Sequence, residues 1–175
     1  RDWSSDVCSS DLGPWAAAAP LGLALVAVLL QLGSGTATAQ DYAAIIGAAD
    51  RSDADKETDK RRKPAELLAF FGVKTGMKVL DMGAGGGYST ELLARTVGPT
   101  GKVWAQDSDT PNERAKAAFD ARIQKPVMAN VVRLARKFDD PVPADVKDLD
   151  AITFLFWYHD TTYMQVDRAE MNKKL

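Results

Sequence analysis

Cysteine and histidine are almost absent from the sequence of this 175-residue chain. The one cysteine is Cys8 and the one histidine is His159. A disulfide within the chain needs two cysteines, so none can form, and a cysteine-based zinc cluster is excluded for the same reason. A single histidine also excludes the usual multi-histidine metal sites. We therefore expect no metal site of these kinds and name no metal-binding residue.

A surplus of charge of either sign is also lacking. The chain carries 22 basic and 24 acidic residues, a net charge of −2. Domains that bind nucleic acid usually have a clear basic surplus, because they neutralise phosphates. The sequence gives no electrostatic reason to expect a nucleic-acid partner. Its hydrophobic fraction of 46% and charged fraction of 26% are ordinary for one soluble domain.

The N-terminal region lacks an apolar run long enough for a standard membrane span. Residues 15–32 carry no charge, but their most apolar part is only residues 21–32. A spanning helix needs about 20 apolar residues, whereas this shorter run suits the apolar region of a signal peptide. The small residues Ala37-Thr38-Ala39 then match an A-x-A cleavage pattern. We predict that residues 13–39 are a signal peptide, which makes the protein periplasmic or secreted. An uncleaved membrane anchor is the alternative.

Residues 1–12 differ in character from the rest of the chain. Their sequence, RDWSSDVCSSDL, resembles the conceptual translation of a sequencing-adapter oligonucleotide. We therefore leave these residues, including Cys8, out of the fold reasoning. Residues 40–175 remain as the predicted domain, with no further membrane contact.

A glycine-rich stretch at residues 79–88 organises this domain. A short apolar strand ending in Asp81 runs into a turn with glycine at positions 83, 85, 86 and 87. Glycine is costly within a strand or helix, but it suits a sharp turn that another molecule approaches closely. A helical pattern follows. The turn therefore precedes a helix N-terminus, where free amide N–H groups and the helix dipole attract a polar ligand.

The spacing of this stretch favours one class of ligand. Dinucleotide-binding loops follow G-x-G-x-x-G, and the third glycine of that pattern is missing here wherever the count begins. The pattern Asp81-x-Gly83-x-Gly85-x-Gly87 instead resembles motif I of the class I methyltransferases that bind S-adenosyl-L-methionine (SAM). The resemblance implies that these four residues hold the cofactor. An acid before the turn also suits SAM, because the amino-acid end of SAM carries an ammonium group.

Acids after the next two strands complete the predicted cofactor site. Asp107 ends the second predicted strand, residues 101–107, and ligands of a doubly wound sheet bind beyond the C-terminal ends of its strands. Its carboxylate is therefore placed to accept hydrogen bonds from both ribose hydroxyls, a role that the resemblance also implies. Asp139 and Asp140 follow the third predicted strand, residues 130–134, where the family carries an acid that contacts adenine. Either residue fits.

The fourth predicted strand, residues 149–157, is a near-continuous apolar run, as expected of a strand covered on both faces. His159 and Asp160 follow it, where methyltransferases of this fold place residues that face the methyl group and its acceptor. His159 is a candidate general base, because histidine is the side chain suited to proton transfer near neutral pH. Asp160 is a candidate to orient its imidazole. A Tyr-His-Asp at this place resembles predicted methyltransferases of the exported type.

The pattern of helices and strands predicts an α/β fold, and its resemblance to the class I methyltransferases implies a doubly wound Rossmann-like methyltransferase sheet with the strand order 3-2-1-4. Class I methyltransferases continue with a fifth strand and an antiparallel pair. We therefore expect residues 40–175 to be the N-terminal part of the domain, truncated after the fourth strand. We also expect the isolated chain to fold poorly, because that strand would be an apolar edge without a partner.

The predicted function is methyl transfer from SAM to an unidentified small-molecule or protein acceptor. Two alternatives stay open. SAM is made in the cytosol, so a signal peptide favours an exported binding protein that keeps the fold without the chemistry. A nicotinamide-dependent oxidoreductase is the weaker alternative, because the third glycine of its fingerprint is missing.

Overall fold

The structure, a computed structural model, describes residues 40–175. The predicted adapter segment and the predicted signal peptide or anchor lie outside the described residues. None of the helices within residues 40–175 has both the length and the apolar character needed to cross a membrane. The helices are α1 (Tyr42–Ile46), α2 (Asp53–Arg62), α3 (Pro64–Phe71), α4 (Tyr88–Val97), α5 (Glu113–Arg122), α6 (Asp160–Tyr163) and α7 (Arg168–Lys174). The strands are β1 (Lys78–Met82), β2 (Lys102–Asp107), β3 (Val131–Ala135) and β4 (Ala151–Phe154).

The four strands form one parallel sheet with the order β3-β2-β1-β4. This order confirms the predicted α/β fold. β1 lies in the interior of the sheet, with β2 on one side and β4 on the other. The chain turns back across the sheet after β3, so the strand order changes direction beside β1. The residues that follow the four strands therefore lie together at the edge of the sheet formed by the C-terminal ends of the strands. Ligands of such folds bind at this C-terminal edge.

Apolar side chains cover both faces of the sheet, as the alternation of strand residues requires. Val79 of β1 belongs to a cluster with Leu92 and Leu93 of α4. The next residue, Leu80, belongs to a separate cluster that includes Phe138 and Met171 of the segments after β3 and β4. Both faces of β1 are therefore buried, which explains why the adjacent residues Val79 and Leu80 are both apolar.

Local boundaries differ from the sequence predictions in two places. Helix α5 begins at Glu113 and is capped by Asn112, whose side chain accepts hydrogen bonds from the Arg114 and Ala115 amides. In the sequence, Thr110-Pro-Asn-Glu113 has the spacing of a capping box and predicts Pro111 as the first helical residue, and this prediction is wrong. Asparagine is among the most favoured N-cap residues, and Asn112 lies closer than Thr110 to the first residue of the helix.

The second difference concerns β4. It spans Ala151–Phe154 rather than residues 149–157, and Phe156 has a φ of +69°, which is incompatible with a strand. The short helix α6 begins at Asp160, directly after His159.

Candidate functional site

The glycine turn lies between β1 and α4 at the C-terminal edge of the sheet. Gly83, Gly85 and Gly87 have φ values of +68°, +52° and +80°, a backbone that other residues rarely adopt. A Cβ atom added to Gly85 would meet nothing closer than the Gly83 carbonyl oxygen, 3.9 Å away. Within residues 40–175, the amides of Gly85 and Gly86 donate to no acceptor. The turn therefore offers two free N–H groups and open space in front of a helix N-terminus.

Asp81 lies buried at the base of this turn, with only 1% of its surface exposed. Its carboxylate accepts hydrogen bonds from Ser89 (2.9 Å) and Thr90 (2.7 Å) at the start of α4 and from Thr153 (2.9 Å) of β4. Burial raises the pKa of Asp81, the three hydroxyl donors oppose the rise, and the Asp107 carboxylate adds to it. Asp81 thus joins β1, α4 and β4, a structural role that the sequence analysis missed. Its contact with a ligand ammonium stays a prediction.

Gln106 of β2 fixes the other side of the turn. Its backbone oxygen accepts from the Ala84 amide (2.9 Å), and its side-chain oxygen accepts from the Gly83 amide (3.3 Å). Its side-chain nitrogen donates to the Arg136 carbonyl after β3 (2.7 Å). One buried amide side chain therefore ties together the ends of β1, β2 and β3. The signal in the sequence was a polar residue inside an otherwise apolar strand, which the analysis passed over.

The acids after β2 and β3 lie along the same edge of the sheet. Asp107 is half-buried and accepts from the Ser108 amide (2.9 Å) through one oxygen. Its other carboxylate oxygen bonds to no group in the described part of the chain. Asp140 forms ion pairs with Arg136 and Lys174, whereas Asp139 forms none with any described residue. Of the two candidates after β3, the structure therefore leaves Asp139 the more available for a ligand.

The segment after β4 lies against the turn. Trp157 is so close that a Cβ atom on Gly83 would come within 2.9 Å of the indole Cδ1 atom. His159 follows two residues later with 73% of its side chain exposed, and its Nε2 atom lies 3.1 Å from Asp160 Oδ1. The structure thus brings the predicted histidine–aspartate pair together on an exposed segment beside the turn. A catalytic role for this pair stays a prediction.

A set of buried charges lies behind the turn, and the sequence analysis missed it. We call Arg51, Asp55, Asp59, Glu91 and Arg122 the ionic network. Arg122 donates to the Gly86 carbonyl (3.0 Å) and forms ion pairs with Asp55 (2.7 Å) and Glu91. Arg51 forms a bidentate ion pair with Asp59, with donor–acceptor distances of 2.5 and 2.8 Å.

The ionic network connects three helices to the glycine turn. Glu91 belongs to α4 and is 1% exposed, Asp55 and Asp59 belong to α2, and Arg122 belongs to α5. Lys125 and Arg95 also contact Glu91, at 2.9 and 2.7 Å. The sequence feature that could have indicated this network is the four-residue spacing of Glu91 and Arg95 on an otherwise apolar helix. This spacing places both side chains on one face of the helix.

The ionic network should make the stability of the fold depend on acid pH. Burial opposes ionisation of Asp55, Asp59 and Glu91, but hydrogen bonds from Arg122, Arg51 and Lys125 outweigh it, so the pKa of each carboxyl is lowered. The stability they contribute is present above about pH 4 and is lost as the pH falls through their lowered pKa values. Asp81, with its raised pKa, makes an opposite contribution.

The measurement is urea-induced unfolding between about pH 7 and pH 3. We expect the free energy of unfolding to fall towards acid, and to fall less steeply in an Asp59→Asn variant, which removes one of the three carboxyls. A free energy that stays constant over this range would contradict the electrostatic role of the network.

The turn itself gives a second prediction, on the stability of two alanine variants. In Gly85→Ala the new Cβ meets open space, so only the left-handed backbone opposes it, at about 1 kcal/mol. In Gly87→Ala the Cβ would lie 2.9 Å from Phe119 Cδ2 and 3.0 Å from Arg122 Cδ. This crowding should add about 1–3 kcal/mol of destabilisation. Urea unfolding of both variants checks the difference, and equal losses would refute the close packing of α5 on the turn.

The part of the chain that contains the glycine turn is similar to a family of known proteins. The family model for protein-L-isoaspartate(D-aspartate) O-methyltransferase matches residues 53–131. The match begins at α2, includes the glycine turn, Asp107 and α5, and ends as β3 begins. It covers less than half of the chain.

Curated relatives match over a somewhat longer stretch. The ubiquinone/menaquinone biosynthesis C-methyltransferase UbiE of Burkholderia multivorans is 30% identical over 110 residues, which is 62% of this chain and 43% of the relative. The protein of the same name from Cupriavidus taiwanensis is 31% identical over 106 residues, covering 61% of this chain and 42% of the relative. The chain therefore spans less than half of the length of these relatives.

A solved structure, of a SAM-dependent methyltransferase from Aquifex aeolicus, resembles this chain with a TM-score of 0.54. The two are 26% identical, and the match covers 69% of this chain and 63% of the other. The fold is therefore the class I, Rossmann-like fold of SAM-dependent methyltransferases. These similarities favour neither the exported binding protein nor the nicotinamide-dependent oxidoreductase.

Proposed function

We propose that this protein is a SAM-dependent methyltransferase. One observation carries the proposal: the glycine turn presents the free amides of Gly85 and Gly86 at the same sheet edge as the half-buried carboxylate of Asp107. The similarity to methyltransferases over the stretch that contains these residues supports it.

The groups at this edge suit the chemistry of SAM. Asp107 has a carboxylate oxygen that no described residue occupies, and a carboxylate is a strong acceptor for the two hydroxyls of a ribose. The glycine turn supplies N–H donors and open space where a side chain would otherwise stand. Asp139 supplies an acceptor after β3, on the far side of Asp107 from the turn. The residues present therefore fit a nucleoside with a polar tail.

The contribution of the chain to methyl transfer would be mainly positional. When bound, SAM supplies an electrophilic methyl group, and the rate of its transfer depends on alignment with the acceptor. The glycine turn and Asp107 would fix the nucleoside. Trp157, packed on Gly83, would exclude water from one side of the turn. His159, oriented by Asp160, would remove a proton from the acceptor.

The acceptor and the location of the protein are part of the proposal. We propose a small-molecule or protein acceptor that approaches from the side of Phe156, Trp157 and Tyr158, which are 56%, 44% and 44% exposed. Export through the predicted signal peptide, or anchoring by the same segment, rests on the sequence of residues 13–39 alone.

Calorimetric titration of the chain with S-adenosylhomocysteine (SAH), the product form of the cofactor, tests the proposal. We expect saturable binding with a dissociation constant well below about 1 mM, and no displacement by NAD. Absence of SAH binding up to that concentration would overturn the proposed function. Binding of NAD in its place would favour the oxidoreductase.

A further inference from the structure

One arginine at the proposed cofactor site lies over two aromatic rings. The guanidinium carbon of Arg62, the last residue of α2, lies 4.8 Å from the centre of the Tyr88 ring and 4.9 Å from that of the Phe156 ring. We call these three residues the arginine stack. Tyr88 follows the glycine turn directly and Phe156 follows β4, so the stack bridges two strand ends of the proposed site.

The charge of Arg62 is not neutralised by a carboxylate in the described part of the chain. Its neighbours Lys60 and Lys63 lie 2.5 Å from Glu57 and 3.8 Å from Glu66. Arg61 also forms no ion pair with a described residue, but unlike Arg62 it is exposed to solvent. Nearby arginines of the ionic network are paired as well. A half-buried arginine without an anion, in a molecule that pairs its other buried cations, is suited to bind an anionic group from outside.

The backbone is strained at two residues of this region, one directly after Arg62 and one in the stack itself. Lys63, directly after it, has a φ of +46°, and Phe156 has a φ of +69°. A bulky residue in this conformation costs about 1 kcal/mol or more and persists where the surrounding structure enforces it. The Tyr88 ring is held by its hydroxyl, which donates to Asp59 Oδ1 (2.5 Å). The Tyr88 ring is therefore held in place independently of any ligand.

The order of the strands indicates which anion reaches the stack. Along the edge, Asp139 follows β3, Asp107 follows β2, the glycine turn follows β1, and Phe156 follows β4. If Asp107 holds the ribose, the amino-acid end of SAM extends past the turn towards β4. The arginine stack lies there, whereas Asp81, the predicted partner of the ammonium, is buried and occupied by three hydroxyls.

We propose that Arg62 binds the carboxylate of the amino-acid end of SAM, an inference that rests on the proposed function. The aromatic rings hold the guanidinium plane in place before the ligand arrives. An ordered guanidinium loses less side-chain entropy on binding than a free one. Arg62 would thereby discriminate SAM and SAH from nucleosides that lack the amino-acid end.

Calorimetric titration of the full chain with two ligands tests this assignment. SAH carries the carboxylate, and methylthioadenosine keeps the nucleoside and sulfur but lacks the amino-acid end. We expect Arg62→Gln to weaken SAH binding by about tenfold or more, as the loss of charge-assisted hydrogen bonds predicts. Methylthioadenosine affinity should change less than about twofold.

Two further variants separate charge from packing. Arg61→Gln, at an exposed neighbouring position on the same helix, should change neither affinity. Arg62→Lys keeps the positive charge and should retain part of the SAH affinity that Arg62→Gln loses. Equal weakening of both ligands by Arg62→Gln would show that Arg62 only supports the fold, and unchanged SAH binding would also overturn the proposal. If the wild-type chain binds neither ligand, the proposed function itself fails, and this assignment with it.

Discussion

Replacing Asp107 by alanine is expected to weaken SAH binding by roughly 100-fold, the largest effect on binding that the proposed site predicts. Hydrogen bonds to an ionised group contribute about 1.5 kcal/mol or more each, and about 1.4 kcal/mol corresponds to a tenfold change in affinity. Two ribose hydroxyls on one carboxylate therefore account for this factor. Calorimetric titration of the variant measures it directly.

The matched control for this variant is Asp109→Asn, two residues further along an exposed part of the same loop. It removes a carboxylate of the same charge near the site and should leave SAH affinity within about twofold. Equal losses in the two variants would mean that the effect comes from general electrostatics. Unchanged SAH binding in Asp107→Ala would exclude a ribose contact at the end of β2.

Replacing Arg122 by glutamine is expected to lower the free energy of unfolding by about 3–5 kcal/mol. The side chains of Asp55 and Glu91 are only 8% and 1% exposed. Without Arg122 they lose a partner and stay buried, and the Gly86 carbonyl loses its donor as well. A domain of this size has a total stability of about 5–15 kcal/mol, so the loss would be a large share of it.

Urea unfolding compares this variant with Arg114→Gln, which removes an exposed arginine from the same helix. Arg114 forms no ion pair with any described residue, so its loss should cost less than about 0.5 kcal/mol. Arg122→Lys keeps one charge but lacks the fork of donors, and should fall between the two. A loss below about 1 kcal/mol in Arg122→Gln would show that the ionic network contributes little.

The position of the glycine turn could be predicted from the sequence because it depends on a local pattern, whereas the order of the strands followed from the resemblance to a known fold. Four apolar strands, glycines at positions that need positive φ, and an acid at the end of β2 are visible along the chain. The pairing of His159 with Asp160 was also accessible, since the two residues are adjacent. In these cases the interaction that fixes the structure involves residues close in sequence or a repeated periodicity.

The side-chain contacts that hold the site in place could not be predicted in the same way, because they join residues far apart in sequence. Arg122 contacts Asp55 across 67 positions of the sequence, and Arg62 of α2 contacts Phe156, which follows β4. A charged residue on α2 gives no local sign that its partner lies on α5. A basic run such as residues 60–63 is in itself typical of a solvated helix end, and three of its four members are exposed as such a helix end would be.

The role of Asp81 illustrates a different limit. An acid before a glycine turn has two chemically reasonable uses, one towards a ligand and one towards the helix that follows. Ser89 and Thr90 were visible in the sequence as hydroxyl donors at that helix start, and Thr153 was visible on β4. Only the sheet register, which places Asp81 beside Thr153, shows that three hydroxyls meet this carboxylate at once.

The central claim is that the turn after β1 and the end of β2 form the SAM site, and amide NMR during titration of the chain with SAH tests it most directly. We predict that the amide signals of Gly85, Gly86 and Ser108 shift most, because two of these groups are free donors and the third contacts Asp107. Gly98 and Gly101, near the opposite edge of the sheet, should not move. Saturable binding with shifts centred on Gly98 and Gly101, or with the glycine turn unaffected, would contradict the claim.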